Sequence, residues 1–411
     1  MGCAKVVSPS LGLKEQYMSE ISSALYWSLP TPQEFSNKVT DAARSARALI
    51  LSFPEFMPSN PIRAVERALK NASISEPLIL DIMDGMNISV EIGTHFGGRN
   101  MPAQLLAHHV HGTQHAIVLQ AHGKRAQVHC EKYTSEFVNS IDEVVVGDVR
   151  LVMAMRSGEY EADQSGGAIR VIAFDGGLSY AEMEAYVAIR MVSYPGPGST
   201  SLFKHLVTEY ASFDPVMAEK LSQMDQSNIL TLPNSLGPIM SEDPVRWSRS
   251  SWVTGTKSTM SNDTHPLHEW YVASHSGSQS DKYRRLAERR YWKACLKAII
   301  PWLEERRLRI ISILDRPIKA VERAAGGAGK IEKKVGSQIV QVTRDELEYN
   351  DIVFQSRQSE FNRINLTLNE LGAIGICCLA KTIRDELSHL RPPRAHDLAS
   401  LISNMDRLIP S

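Results

Sequence analysis

The chain has 411 residues, 43% of them hydrophobic and 22% charged, with a formal net charge of -1 at pH 7. This balance excludes a disordered polyelectrolyte and a globally basic nucleic-acid binder, so any nucleic-acid contact must rest on a local patch. At this length two or three cores are expected rather than one. The cysteines Cys3, Cys130, Cys295, Cys377 and Cys378 form no C-x-x-C pair. Buried, reduced thiols are expected rather than a disulfide framework. No run reaches the roughly 18 apolar residues of a membrane span, and the N-terminus lacks a basic region followed by an apolar core. A cytoplasmic protein with no membrane partner is expected.

Residues 1–47 read as a leading helical segment, broken at Pro30-Thr31-Pro32. Residues 48–178 then alternate apolar runs with helical ones. Strands are expected at 48–53, 78–82, 116–119, 151–155 and 169–174, with helices at 62–70, 101–110 and 135–141. Strands separated by helical connections pair in parallel, so this is a five-stranded, mostly parallel α/β domain. Ser179 and Glu182 form a capping box that opens a helical, lid-like lobe over 179–232. An irregular connection follows at 233–281, rich in Ser, Pro, Gly, Asn and Thr and carrying Trp247, Trp252 and Trp270. Residues 282–411 form a C-terminal helical bundle. In it Thr343 and Glu346 make a second capping box, and Ile364, Leu368, Leu371, Gly375, Leu379, Ile383 and Leu387 form an apolar stripe. The fold class is therefore α/β plus all-α.

Phosphate-binding parts are missing where an α/β nucleotide site would carry them. The segment after the first strand, Ser52-Phe53-Pro54-Glu55-Phe56-Met57-Pro58-Ser59-Asn60-Pro61, has no glycine or lysine, and its three prolines remove amide donors. Asp81 and Asp84 end the second strand, while the third ends in Gln120, Ala121 and His122. Gly326-Gly327-Ala328-Gly329-Lys330 lacks the first glycine and the hydroxyl residue of a P-loop and follows a basic helix, so it reads as a hinge. The order of elements over residues 45–230 nonetheless resembles the nucleotide-binding core of AAA+ and STAND-type P-loop ATPases. The resemblance implies a degenerate regulatory domain without ATP hydrolysis; no cofactor is assigned.

His108, His111 and His115 share helical spacing, but Gly112 interrupts it and no strong acid or thiolate lies nearby, so no metal is assigned. Residues 282–334 carry an excess of lysine and arginine, interleaved with Tyr283, Tyr291, Trp292 and Trp302. Such a surface suits a phosphate backbone with stacked bases. The competing reading is a solvated helix whose cations pair with Glu288, Glu304, Glu305 and Glu322.

Near the C-terminus, Arg384-Asp385-Glu386-Leu387-Ser388-His389 places a cation, carboxylates, a hydroxyl and an imidazole within six residues. An imidazole suits proton transfer near neutral pH, and a guanidinium suits charge developing on a phosphate. Five helical residues separate Arg384 from His389 by about 140°, whereas Asp385 and His389 share a face. The hexapeptide resembles the R-x4-6-H signature of HEPN domains, helical bundles many of which are metal-independent ribonucleases with sites at dimer interfaces. The resemblance covers about 70 residues. It implies Arg384, Asp385 and His389 as catalytic residues, RNA as substrate, and a homo-oligomer or a partner protein in a prokaryotic anti-phage defence complex. The alternative expectation is a non-catalytic regulatory or adaptor subunit that assembles with a separate effector enzyme.

Overall fold

The computed structural model describes residues 23–53, 61–74, 76–98, 100–110, 112, 114–141, 148–156, 169–174, 177–192, 200–231, 265, 281–327, 329–335 and 337–410. The proline-rich segment 54–60 after the first strand, His111, and nearly all of the irregular connection lie outside them. Contacts sort the chain into two compact units: residues 1–186, 212–217 and 243–268, and residues 187–211, 218–242 and 269–411. The stretch 179–232, read from sequence as one lobe, is thus divided between the two.

The first unit is built on α1 (Pro30–Ser45), β1 (Ala48–Phe53), α2 (Pro61–Asn71), β2 (Leu78–Met83), α3 (Ile88–His95), α4 (Ala103–Ala107), β3 (His115–His122), α5 (Lys124–Asn139), β4 (Val149–Arg156) and β5 (Ile169–Ala173). As expected, it is a five-stranded α/β sheet. All its pairings are parallel, in the order β2-β3-β4-β1-β5. Every residue of β1 is buried, as a central strand covered on both faces requires. Ile50, Ile82, Ile117, Leu119, Leu151 and Met153 join α3, α4 and α5 in one core. Successive strand residues alternate faces, so Leu49, Leu51, Val118 and Val152 point the other way, and α1 packs on that side of β1 and β5. Phe35 of α1 anchors there among Trp27, Phe53 and Phe174, with ring centroids 4.8–6.3 Å apart.

Three helices differ from expectation, the one expected at 101–110 being only Ala103–Ala107. The helix after β3 is Lys124–Asn139 rather than 135–141. Its start carries polar Lys124 and Arg125, which break the apolar pattern, and is stabilised from a distance: Ala126 N donates to Asp84 Oδ1 at 2.8 Å. Asn87 opens the unforeseen α3 by accepting from the amides of Ser89 and Val90 at 3.1 and 3.4 Å.

The second unit holds α7 (Thr200–Ala211), α9 (Gln226–Leu230), α10 (Asp281–Ile313), α11 (Asp315–Ala324), the antiparallel hairpin β6 (Ile331–Val335) and β7 (Gln338–Val342), α12 (Tyr349–Gln355), α13 (Ser359–Asn362), α14 (Leu368–Ser388) and α15 (Ala395–Leu408). Between the units' segments, α6 (Tyr180–Val192) and α8 (Pro215–Ser222) each contribute to both. The long helix α10 packs along α7, where Tyr210 donates to Ala287 O at 3.2 Å. Glu209, 1% exposed, receives Lys297 at 2.8 Å and Arg290 at 3.5 Å. Leaving that buried carboxylate unpaired would cost on the order of 3–5 kcal/mol.

The seam of α14 keeps Ile383 and Leu387 of the expected stripe but departs from it toward the helix start. Ala373, Ile376, Cys377, Ala380, Ile383 and Leu387 are buried, whereas Leu368 is 87% and Leu371 51% exposed. Of the described cysteines, Cys130, Cys295 and Cys377 are buried as expected, and Cys378 is exposed because it lies off this seam.

The start of α14 is fixed by Thr367 and Glu370, a reciprocal capping box in which Thr367 N donates to Glu370 Oε2 at 2.7 Å and Glu370 N to Thr367 Oγ1 at 3.2 Å. Arg316 adds a fork, its Nε 3.1 Å and its terminal nitrogen 2.6 Å from the two carboxylate oxygens. The Arg316 guanidinium and the Thr367 donors hold the Glu370 carboxyl down at about 2, against the burial that would raise it. A carboxylate whose pKa is lower folded than unfolded stabilises the protein above the unfolded value, and that contribution is lost as pH falls toward the folded one. Glu370→Gln is therefore expected to cost about 1–2 kcal/mol in urea unfolding at pH 7. The gap to wild type should narrow as pH falls below about 4; a gap unchanged at acidic pH would contradict the ionic role.

Candidate functional site at the end of helix α14

Helix α14 ends in a Schellman motif. Arg391 N donates to Glu386 O at 2.9 Å and Leu390 N to Leu387 O at 3.3 Å. The motif requires a left-handed residue, and Leu390 occupies it at φ 58° in place of the usual glycine. His389 is the cap residue, with φ -93° and ψ 18°, and its amide donates to Asp385 O and Glu386 O at 3.2 Å. Pro392 and Pro393 then carry the chain away from the helix. This stop leaves the His389 side chain exposed, with no hydrogen-bond or ion-pair partner among the described residues.

The other two residues of the motif are engaged elsewhere. Arg384, 28% exposed, pairs with Glu348 at 3.3 Å, just ahead of α12. Asp385 is exposed and pairs with Lys381 one turn back at 2.8 Å, so the Asp385–His389 face contact expected from spacing does not form. A single chain thus leaves the three groups apart. The helix geometry accounts for this, since His389 lies beyond the last helical residue and Arg384 points to a different neighbour.

Sequence reading underrated three neighbours of His389. Trp292, on α10, donates its indole N–H to Leu387 O at 2.8 Å, adding a second donor to the carbonyl that receives the Schellman amide of Leu390. Arg391 and Arg394 follow the helix end, both exposed and without an acidic partner among the described residues. The signal was present as two arginines within five residues of the histidine. Behind the turn, Glu386 carries a buried carboxylate oxygen with no partner among the described residues. Burial pushes the nearby Cys295 thiol up to about 12, which disqualifies it as a nucleophile near neutral pH.

In the first unit, the acidic residues ending β2 are engaged: Asp81 lies 2.7 Å from His122 Nε2, and Asp84 holds the start of α5. The histidine cluster divides in the same way. His108 Nδ1 meets Gln104 O at 2.9 Å, and His109 and His115 pack edge-on against Phe96. Among the described residues no group of three His, Cys, Asp or Glu side chains is placed to hold a metal ion, and no helix is long and apolar enough to cross a membrane.

No protein-family model matches this chain, and no curated protein matches it in sequence.

The strain at Leu390 is directly measurable. A left-handed non-glycine residue costs roughly 1–2 kcal/mol, and the side chain is 72% exposed, so little packing offsets that cost. Leu390→Gly is expected to raise stability by about 1 kcal/mol in chemical denaturation. A loss of stability would mean that the leucine side chain packs on something that outweighs the backbone strain.

Proposed function

We propose that this chain is a HEPN-like, RNA-binding and RNA-cleaving component of a prokaryotic anti-phage defence system, acting at the end of α14. Its α/β unit is then a STAND-like regulatory domain that does not hydrolyse nucleotide. One observation carries the reading: an exposed, unpartnered imidazole at His389, capped into place and flanked by the exposed cations Arg391 and Arg394.

The chemistry needs no metal. His389 takes the proton of an RNA 2′-hydroxyl, whose oxygen then bonds to the adjacent phosphorus. The bond from phosphorus to the 5′-oxygen breaks, that oxygen takes a proton from water, and the products are a 2′,3′-cyclic phosphate and a 5′-hydroxyl. Arg391 and Arg394 offset phosphate charge. Arg384 joins them only by exchanging Glu348 for the scissile phosphate, which makes RNA binding itself the event that completes the site.

The sheet order supports the regulatory half of the proposal. β1 sits between β4 and β5, and the connections change direction there, a switch point whose crevice at the strands' carboxyl ends takes ligands in open parallel sheets. The prolines after β1 still argue against phosphate cradling. The non-catalytic adaptor reading draws on a different feature. Leu368, Leu371, Gly372 and Gly375 leave an apolar face on α14 beside a groove of about 450 Å³ that α15 also lines. Such a face suits assembly with a second copy or a partner protein.

Two tests follow. Purified protein should show no magnesium-dependent ATP turnover; robust turnover lost in Asp81→Ala would overturn the degenerate reading. RNA cleavage should vanish in His389→Ala, fall about a hundredfold in Arg384→Ala, and persist in chelator, with sedimentation unchanged in both variants. Asp385→Ala should have the smallest effect, because Lys381 already occupies its carboxylate. Cleavage that survives in assembled His389→Ala would remove the motif from the mechanism.

A further inference from the structure

The cations of α10 from Arg285 to Arg307 fall into two sets. Arg290 and Lys297 serve the buried Glu209, Arg307 pairs with Glu304 at 3.0 Å, and Arg306 lies 3.5 Å from Glu305 and over the Trp302 ring. Arg285, Arg289 and Lys293 have no acidic partner among the described residues, and Arg285 and Arg289 are exposed. These three recur every fourth residue, so they lie about 6 Å apart along the helix axis on one slowly winding stripe. Fold-stabilising pairing explains the first set and not the second.

The stripe has a defined neighbour. Trp292 lies in the same stretch of α10 as Arg289 and Lys293, and its indole bond to Leu387 O fastens this stretch to the final turn of α14. Beyond that turn stand His389, Arg391 and Arg394, all exposed. Resting on the reading of His389 given above, we propose that Arg285, Arg289 and Lys293 form a track for the backbone of single-stranded RNA, which delivers the strand to the end of α14. Cations one helical turn apart can meet successive phosphates of an extended strand. They contribute affinity without reading sequence.

The test is fluorescence anisotropy with a labelled oligouridylate and the full chain, titrated across salt concentrations. The Arg285→Gln, Arg289→Gln, Lys293→Gln triple variant should bind at least tenfold more weakly. Its slope of log affinity against log salt should be shallower by about 2, the loss of three single-strand phosphate contacts. Arg289→Glu alone should also weaken binding, which guards against a folding defect peculiar to the triple change. The control is Arg309→Gln, an exposed cation on the same helix about 200° around from Arg289; it should bind as wild type.

Wild type that binds RNA through the stripe but does not cut it leaves the track standing and removes the catalytic reading. Cleavage at full rate with an unchanged salt slope in the triple variant removes the track alone and would assign the stripe to an acidic protein surface. Equal losses in Arg309→Gln, or no RNA binding by wild type, would also overturn the track.

Discussion

The indole N–H of Trp292 and the carbonyl of Leu387, 2.8 Å apart, set the position of everything proposed for this protein's chemistry. The last turn of α14 holds Leu387 O in its Schellman bond from Leu390 N, and a side chain from another helix adds a second donor to the same carbonyl. The bond couples the basic helix α10 to the point where α14 stops. The bond lies within the packing of α10 on α14 and places the stretch that carries the cation stripe against the turn that precedes the exposed histidine.

That surface depends on buried polar contacts at some distance from it. Glu209 pairs with Lys297 and Arg290, which commits those two cations to the fold and leaves the stripe of Arg285, Arg289 and Lys293 distinct. At its other end, α14 is anchored by Glu370, shared between Thr367 and Arg316. The helix is therefore held by charge-assisted hydrogen bonds at its start and by a strained Schellman turn at its end. An exposed leucine in left-handed geometry beside the candidate histidine fits a pattern in which backbone strain collects near functional positions.

How much of this the sequence disclosed follows from the range of the interactions involved. The five parallel strands were readable because each is a short apolar run set between helical segments, a local pattern. The helix at Lys124–Asn139 was read short because its start is polar and its stabilising aspartate, Asp84, lies 42 residues away in sequence. The first half of the α14 seam was misplaced for a related reason: Leu368 and Leu371 look like core residues, but the neighbouring helices bury Ala373, Ile376 and Cys377 instead, while Ile383 and Leu387 are buried as expected. The capping boxes at Ser179–Glu182 and Thr343–Glu346 were visible in the sequence, whereas Thr367–Glu370, completed by Arg316 54 residues before Glu370, was missed. For the candidate site, Arg384, Asp385 and His389 were found by their proximity in sequence. Their separation in space, through Glu348 and Lys381, arises from partners that spacing alone does not specify.

RNA is proposed to meet this protein where the first turns of α10 pack against the end of α14. Photo-crosslinking of the full chain to 4-thiouridine-substituted single-stranded RNA, with the modified peptides mapped by mass spectrometry, tests it most directly. The expected result is crosslinking concentrated in residues 285–293 and 387–394, and weakened when salt is raised. Crosslinks confined to the α/β unit, or crosslinks in the bundle that leave both of those segments unmodified, would contradict the account.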